Sequence, residues 1–393
     1  MIYLDNAATT AVLPEVVAAM SESLATTFGN PSSLHTIGRK ASQVLRESRE
    51  TVAKALNVMP REIVFTSGAS EANNTAIIGY ALANRSKGNH ILTTAIEHPS
   101  VLNAVKYLHE RHGFDVTFVK PLANGNFPAE LISQNLREDT ILVSMMAANN
   151  ETGQLLPVAE VGEMLQAHKA VFHVDATQIM GKIPAHPKEI GADFLSASAH
   201  KFHGPKGVGF LYHDALKFDS LIHGGEQEEK RRAGTENLHS LVGMAKALEI
   251  SLENMDDNFH HVENLKKTLL TELGEQTSLS VSEQAHNGFA ISKNTALDFY
   301  QNEFGKSMPH VVNLAFPGQN HDLLLTKLDM AGIAISTGSA CTAGTVEPSH
   351  VLEAVYGTAA PQLKENIRVS FSELNTFDEV VKFAETLKNI LMN

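Results

Sequence analysis

The sequence predicts an α/β protein with a mostly parallel sheet covered by helices on both faces, followed by a smaller α/β domain. Three observations carry this. Short β-branched runs alternate with helix-like segments between about residues 60 and 215. A breaker-poor stretch with apolar residues at helical spacing then runs from Leu238 to Leu273. Beyond it, further strand-like runs appear, and 393 residues exceed what one hydrophobic core usually serves.

Met1 to Asp5 reads as a short strand, not a secretory leader, because it has neither a basic start nor a long apolar stretch. The runs Ile63-Val-Phe65, His90-Ile-Leu-Thr93, Val116-Thr-Phe-Val119, Ile141-Leu-Val143 and Val171-Phe-His-Val174 are the strands of the sheet, and Ala192-Asp-Phe-Leu195 adds another. Leu238 to Leu273, interrupted near Asp256-Asp-Asn258, is one long helix or two in series. Val311 to Phe316, Ile333 to Ile335 and Ile367 to Phe371 read as strands of the second domain, with helices at His321 to Leu328 and at the C-terminus. The expected division is a large domain over 16–260 and a small one made of 1–15 and 261–393, with a loop at about 335–348 carrying the single cysteine.

A formal charge of -13 and the lack of a basic stripe argue against direct nucleic-acid binding. No apolar run approaches the roughly 20 residues of a membrane helix. One cysteine, Cys341, excludes an internal disulfide and a cysteine-built zinc site, which fits a reducing cytoplasm.

Lys201 lies among small, backbone-exposing residues in Ser196-Ala-Ser-Ala-His-Lys-Phe-His-Gly-Pro-Lys-Gly207, just after a strand. An amine so presented can be offered to an aldehyde cofactor. Asp175 ends the run Ala170 to Val174, where a carboxylate can keep a bound pyridine ring protonated. Together they suggest pyridoxal phosphate, although a lysine before a Gly/Pro turn is ordinarily a solvated residue and an aspartate after a strand a turn or cap. Thr66-Ser-Gly-Ala-Ser70 follows a strand and opens a helix, so unpaired N–H groups there form either an anion cradle or an ordinary cap. His98 follows another strand, and Pro99 fixes a bend that could hold the imidazole against an aromatic ring. Gln178 and Asn150 offer amides that could approach a ring oxygen. Cys341 lies in a run of Gly, Ser and Thr too small and polar for a core, as a travelling nucleophilic thiol requires. Arg368 alternates with apolar neighbours and can offer a planar fork to a carboxylate, or be an exposed strand arginine.

With these motifs in place the chain resembles the cysteine desulfurases of the NifS/IscS type, within the class V aminotransferases of fold-type I. The likeness runs nearly end to end: Tyr3-Leu-Asp-Asn-Ala-Ala-Thr9, Phe28-Gly-Asn-Pro-Ser-Ser-Leu-His35, Thr66-Ser-Gly-Ala-Ser-Glu-Ala-Asn-Asn74, Glu97-His-Pro-Ser100, Asn149-Asn-Glu151, His173-Val-Asp-Ala-Thr-Gln178, His200-Lys201, Arg232-Ala-Gly-Thr-Glu-Asn237 and Gly338-Ser-Ala-Cys341. The resemblance implies a sheet of the seven-stranded type and pyridoxal 5'-phosphate held covalently by Lys201. Asp175 would pair with the ring nitrogen, His98 would stack on the ring, and Gln178 and Asn150 would lie near its oxygen. Ala69, Ser70, Ser198 and His200 would hold the phosphate, and Thr235 would reach the phosphate of a neighbouring subunit in a homodimer. Arg368, with Asn30, would bind the carboxylate of L-cysteine, and Cys341 would take its sulfur as a persulfide. Sulfur would pass to an iron-sulfur scaffold or a tRNA-thiolation carrier, and Cys341 would meet a metal only as a ligand shared with a scaffold-bound cluster. The chain departs from the usual pattern at Ser70, where threonine is usual, at Glu226, where glycine is common, and at Ala233, where serine is common. An aminotransferase or selenocysteine lyase on the same fold is the rival enzyme reading, and a cofactor-binding regulator the rival outside enzymes.

Overall fold

The computed structural model describes residues 1–274, 297–337 and 348–392. After β1 (Ile2–Tyr3), seven strands build the main sheet: β2 (Ile63–Thr66), β3 (His90–Thr94), β4 (Asp115–Val119), β5 (Thr140–Met146), β6 (Val171–Asp175), β7 (Phe194–Ser198) and β8 (Gly209–His213). Their order is β2-β8-β7-β6-β5-β3-β4, and every pairing is parallel except those made by β8. The sequence reading had no strand at Gly209–His213. Its five residues follow a Gly/Pro-rich turn and return antiparallel beside β7, so no crossover helix announces them.

Strand side chains alternate between two cores, as the period of two demands. Ile63, Phe65, Leu92, Val143, Phe172, Val174, Leu195 and Phe210 share one core, which Val16, Val52, Leu56, Leu241 and Leu248 of three helices complete. Val64, Ile91, Leu142, Val171, Phe194 and Leu211 face the other way onto Ala72, Ile77, Tyr80, Val101 and Leu108. Of the three helices of the first core, Leu238–Glu253 packs against both Pro14–Thr26 and Thr36–Leu56. Leu238 to Leu273 proves to be two helices in series, broken at Asn254, where φ is -115° and ψ 15°.

A separate core holds Leu4, Leu265, Leu269, Leu314, Leu328, Ile367, Val369, Phe383 and Leu387. Around it lie β9 (Tyr300–Gln301), β10 (Val311–Ala315), β11 (Ile333–Ala334) and β12 (Asn366–Ser370), with the helices Met255–Leu273, His321–Met330 and Phe377–Met392. β12, β10 and β9 form an antiparallel sheet, while β1 pairs with β11 and Asp5 bridges to Ser370. The N-terminal residues therefore stitch this second core to the catalytic-looking turn at Lys201, since Thr10 N–H donates to the His200 carbonyl at 2.9 Å. Among the described residues no helix is long and apolar enough to cross a membrane.

Candidate active site

The carboxyl ends of β2, β3, β5, β6 and β7 open on one side, the rule for ligand sites in open α/β sheets. A cavity of about 590 Å³ lies there, and it gathers Ala69, Ser70, His98, Asn150, Asp175, Gln178, Ser198, His200, Lys201 and Arg368. Thr235 lines a different cavity of about 190 Å³ with Glu228 and Arg232. Asn30 is exposed on a turn, its carboxamide accepting from Ser32 N–H at 2.9 Å, and does not line the large cavity. Cys341 lies outside the described residues.

Lys201 ends the turn Ala199–Lys201 that follows β7. Its Nζ donates to the carbonyl oxygens of Ala7 and Ala8 at 2.5 and 2.8 Å, so the N-terminal segment forms the wall beside it. Burial, followed by the positive charges of Arg368 and Lys182, pushes its amine down to about 7. A lysine so tuned offers a nucleophilic neutral amine near neutral pH.

Asp175, the last residue of β6, is buried at the cavity floor. Asn73 Nδ2 donates to its Oδ2 at 2.8 Å and Thr177 N–H to its Oδ1 at 3.0 Å, which fixes the carboxylate plane. Behind it His173 lies between Ser144 and Ser196, at 2.8 and 2.9 Å, and burial pushes its imidazole down to about 4, so it stays neutral.

The helix that starts at Ala69 carries Gly68 before it at φ 148°, a conformation that suits glycine, and the Ser198 hydroxyl stands over that turn. Ser67 N–H is met by Glu71, which pairs with Arg232 at 2.9 Å. Ser70, Ser198 and His200 line the cavity with that helix start. Burial and the neighbouring lysines push His200 down to about 4, making it a neutral hydrogen-bonding group. At the other end His98 caps the helix Pro99–His112, accepting from Ser100 N–H at 3.1 Å through Nδ1, and partial desolvation holds its imidazole below its ordinary value.

Arg368, on β12, is 2% exposed and reaches the cavity from the second core. Its guanidinium donates to Asp5 at 2.8 Å and to the Asn150 carbonyl at 2.9 Å, so it is a fixed buried cation rather than a surface arginine. Gln178 Nε2 donates to the Ala7 carbonyl at 3.2 Å, and its Oε1 contacts His310 Nε2 at 3.1 Å.

Three groups escaped the sequence reading: Asn73, Thr177 and Lys182. Asn73 had one signal, an amide-bearing side chain inside a helical run, where asparagine is unfavourable unless a partner compensates. Together the site offers an amine, a carboxylate and an anion cradle of N–H and hydroxyl groups, with a buried arginine on the facing wall.

The chain matches the family model for class-V aminotransferases over residues 2–383. It is 40% identical to the cysteine desulfurase IscS of Clostridium botulinum, over 99% of this chain and 94% of the relative. Among solved structures, a NifS-like protein superposes with a TM-score of 0.87 at 35% identity, covering 100% of this chain and 99% of the other. SspA in complex with cysteine superposes at 0.77 with 32% identity, covering 96% of this chain and all of SspA.

Proposed function

The chain belongs to the class-V aminotransferase family, and we propose that it acts as a pyridoxal-phosphate-dependent cysteine desulfurase, converting L-cysteine to L-alanine with sulfur transferred to Cys341. The observation that carries this reading is Lys201: a buried amine pushed down to about 7, in a cavity that also holds the Asp175 carboxylate and an anion cradle. Family-wide likeness to desulfurases supplies the reaction class.

The residues present fit pyridoxal phosphate. Thr177 Oγ and Asn73 Oδ1 are buried without a hydrogen-bond partner at the Asp175 end, where a polar ring would meet them. A phosphate suits the helix start at Ala69, Ser70, Ser198 and His200. Asp175 would hold a proton at the ring nitrogen, His98 would lie on the ring, and Gln178 and Asn150 would face its oxygen. When bound, the cofactor supplies an aldehyde for substrate attachment and an acceptor for the electron pair left at the substrate's α-carbon.

The chain's own groups do the rest. Arg368 binds the substrate carboxylate in the orientation that Asp5 and the Asn150 carbonyl fix; Asn30, which the resemblance also assigns to that carboxylate, lies outside this cavity in the single chain. Lys201 Nζ, once free, moves the α-proton. Cys341 Sγ attacks the substrate sulfur. An S–S bond forms, the substrate's C–S bond breaks, its electrons remain with carbon, and protonation of that carbon yields alanine. The balance is cysteine plus thiol giving alanine plus persulfide, with no outside oxidant.

The same reading assigns Thr235 to the phosphate of the neighbouring subunit in a homodimer. It divides the chain into 16–260 and a smaller unit of 1–15 with 261–393. It also makes an iron-sulfur scaffold or tRNA-thiolation carrier in the cytoplasm the sulfur acceptor, with Cys341 meeting iron only in a shared cluster.

The test is product analysis with cysteine and a reductant. Alanine and sulfide in equal amounts are expected, and Cys341→Ala should keep the cofactor's visible absorbance while both products fall to background. A keto acid in place of alanine, or full turnover by Cys341→Ala, would overturn the reading.

A further inference from the structure

Beneath the turn that carries Lys201 lies a second lysine. Lys182 follows the tight turns after Asp175, and its Nζ donates to the Lys201 carbonyl oxygen at 2.7 Å. A small cavity of about 30 Å³ at this point is lined by Lys182, His310, Ser372 and Glu373, room for roughly one water-sized body. Lys182 is part-buried there, among Phe259, Val262, Met308 and Phe371 as well as these polar groups.

The charged groups around it come from several segments. Glu373, after β12, favours the Lys182 cation and contacts His203 Nε2 at 3.2 Å. His310 lies on the cavity wall, held well below its ordinary value by burial, and so adds no charge. Lys201 Nζ itself faces the Ala7 and Ala8 carbonyls, with Arg368, Asp5 and Asp175 acting on it from β12, the N-terminal segment and β6.

Accepting the assignment of Lys201 as the amine that captures the aldehyde, we propose that Lys182 is its positioning residue: it pins the Lys201 backbone through the Nζ–carbonyl bond and, as a part-buried cation, disfavours a second positive charge at Lys201 Nζ. The electrostatics agree. Lys182 stands after burial and Arg368 among the causes that lower Lys201. Burial lowers Lys182 as well, while Glu373 acts to keep it charged.

The experiment follows capture of pyridoxal phosphate by the apo-protein, by absorbance, from pH 6 to 9, for wild type and variants. Lys182→Met should move the pH midpoint of capture upward by about half a unit or more, which slows capture at pH 7 about twofold or more. Lys182→Gln, which keeps a donor but no charge, should shift in the same direction, and it carries the test if the methionine variant does not fold. Lys182→Arg, which keeps the charge, should titrate like wild type. Unchanged midpoints in the Met and Gln variants, with lowered thermal stability alone, would make Lys182 a structural residue and overturn the inference. Lys201→Ala is the separate control: covalent capture persisting in that variant would sink the assignment of Lys201 itself, whatever Lys182 does.

Discussion

Asp175 can serve as a fixed charge because each of its oxygens meets a donor, and one of the two donors comes from a residue 102 positions away. Asn73 Nδ2 also reaches the Ser100 hydroxyl at 2.9 Å, so a single amide ties the Asp175 carboxylate to the helix that His98 caps. Replacing it leaves a buried carboxylate one hydrogen bond short, which costs about 1–3 kcal/mol. Asn73→Ala should therefore lower stability by about that amount and weaken cofactor retention by about tenfold, read by denaturant unfolding and by absorbance after gel filtration. Cofactor retention equal to wild type would show that Thr177 N–H alone orients Asp175. The residues that the sequence offered for the site were those whose chemistry is visible in their immediate neighbours, such as Lys201 before its Gly/Pro turn or Asp175 after an apolar run. Asn73, Thr177 and Lys182 act on partners brought close only by the fold, and no local spacing encodes such a partner. The bland alternative for Arg368, an exposed strand arginine, is excluded for the same reason: its burial depends on Asp5, 363 residues earlier.

At the scale of elements, the phosphate cradle depends on how closely β8 and the β2 turn approach. Gly209 opens β8 opposite Thr66 and Ser198, and a Cβ there would stand 2.4 Å from the Ala197 carbonyl oxygen and 2.8 Å from Gly68 Cα. Both neighbours are backbone atoms, so neither can turn aside. Gly209→Ala must push β7 and the Gly68 turn apart, with an expected cost of about 2–4 kcal/mol and a loss of phosphate affinity that exceeds the loss of stability in relative terms. Inorganic phosphate competition against pyridoxal phosphate binding checks the second part, and unchanged affinity would place the cradle elsewhere. The parallel strands β3 to β6 were legible as β-branched runs among helix-like segments, and β7 as the apolar stretch before the Gly/Pro-rich turn at Lys201. β8 was not, since five residues returning antiparallel leave no crossover to read. The paired helices Leu238–Glu253 and Met255–Leu273 were legible as a periodic stretch, while the break fell at Asn254, just before the polar Asp256-Asp-Asn258 patch that interrupts the pattern.

Across the whole molecule, buried imidazoles set how stability responds to acid. Burial pushes His173, His200 and His213 down to about 4, and His310 well below its ordinary value. In the unfolded chain each returns to about 6.5 and takes up a proton there. Their contribution to stability is therefore complete above about pH 6.5 and is lost as the pH falls toward 4. Raised carboxyl groups work in the opposite sense, Asp193 among them. Glu97, buried behind the His98 turn, is raised to about 8, and Glu151, held by Ser349, is raised as well. Both favour the protonated acid in the fold, so their contribution is full below about 4.5 and fades as the pH rises. His90, His98 and His321 are lowered too, so lowered imidazoles outnumber raised carboxyls and unfolding between pH 5 and 6 takes up protons on balance, each worth about 1.4 kcal/mol per pH unit. The midpoint of thermal unfolding should thus fall as the pH is lowered from 6.5 to 5, before ordinary carboxylates such as Glu71 and Glu373 begin to titrate. His213→Phe, whose ring would keep the edge contact with Phe218 now made at 5.4 Å between centroids, should flatten that slope by about one proton. A slope unchanged by the substitution would mean that His213 is charged in the folded protein, and a midpoint that rises on acidification would mean that the buried imidazoles as a group are.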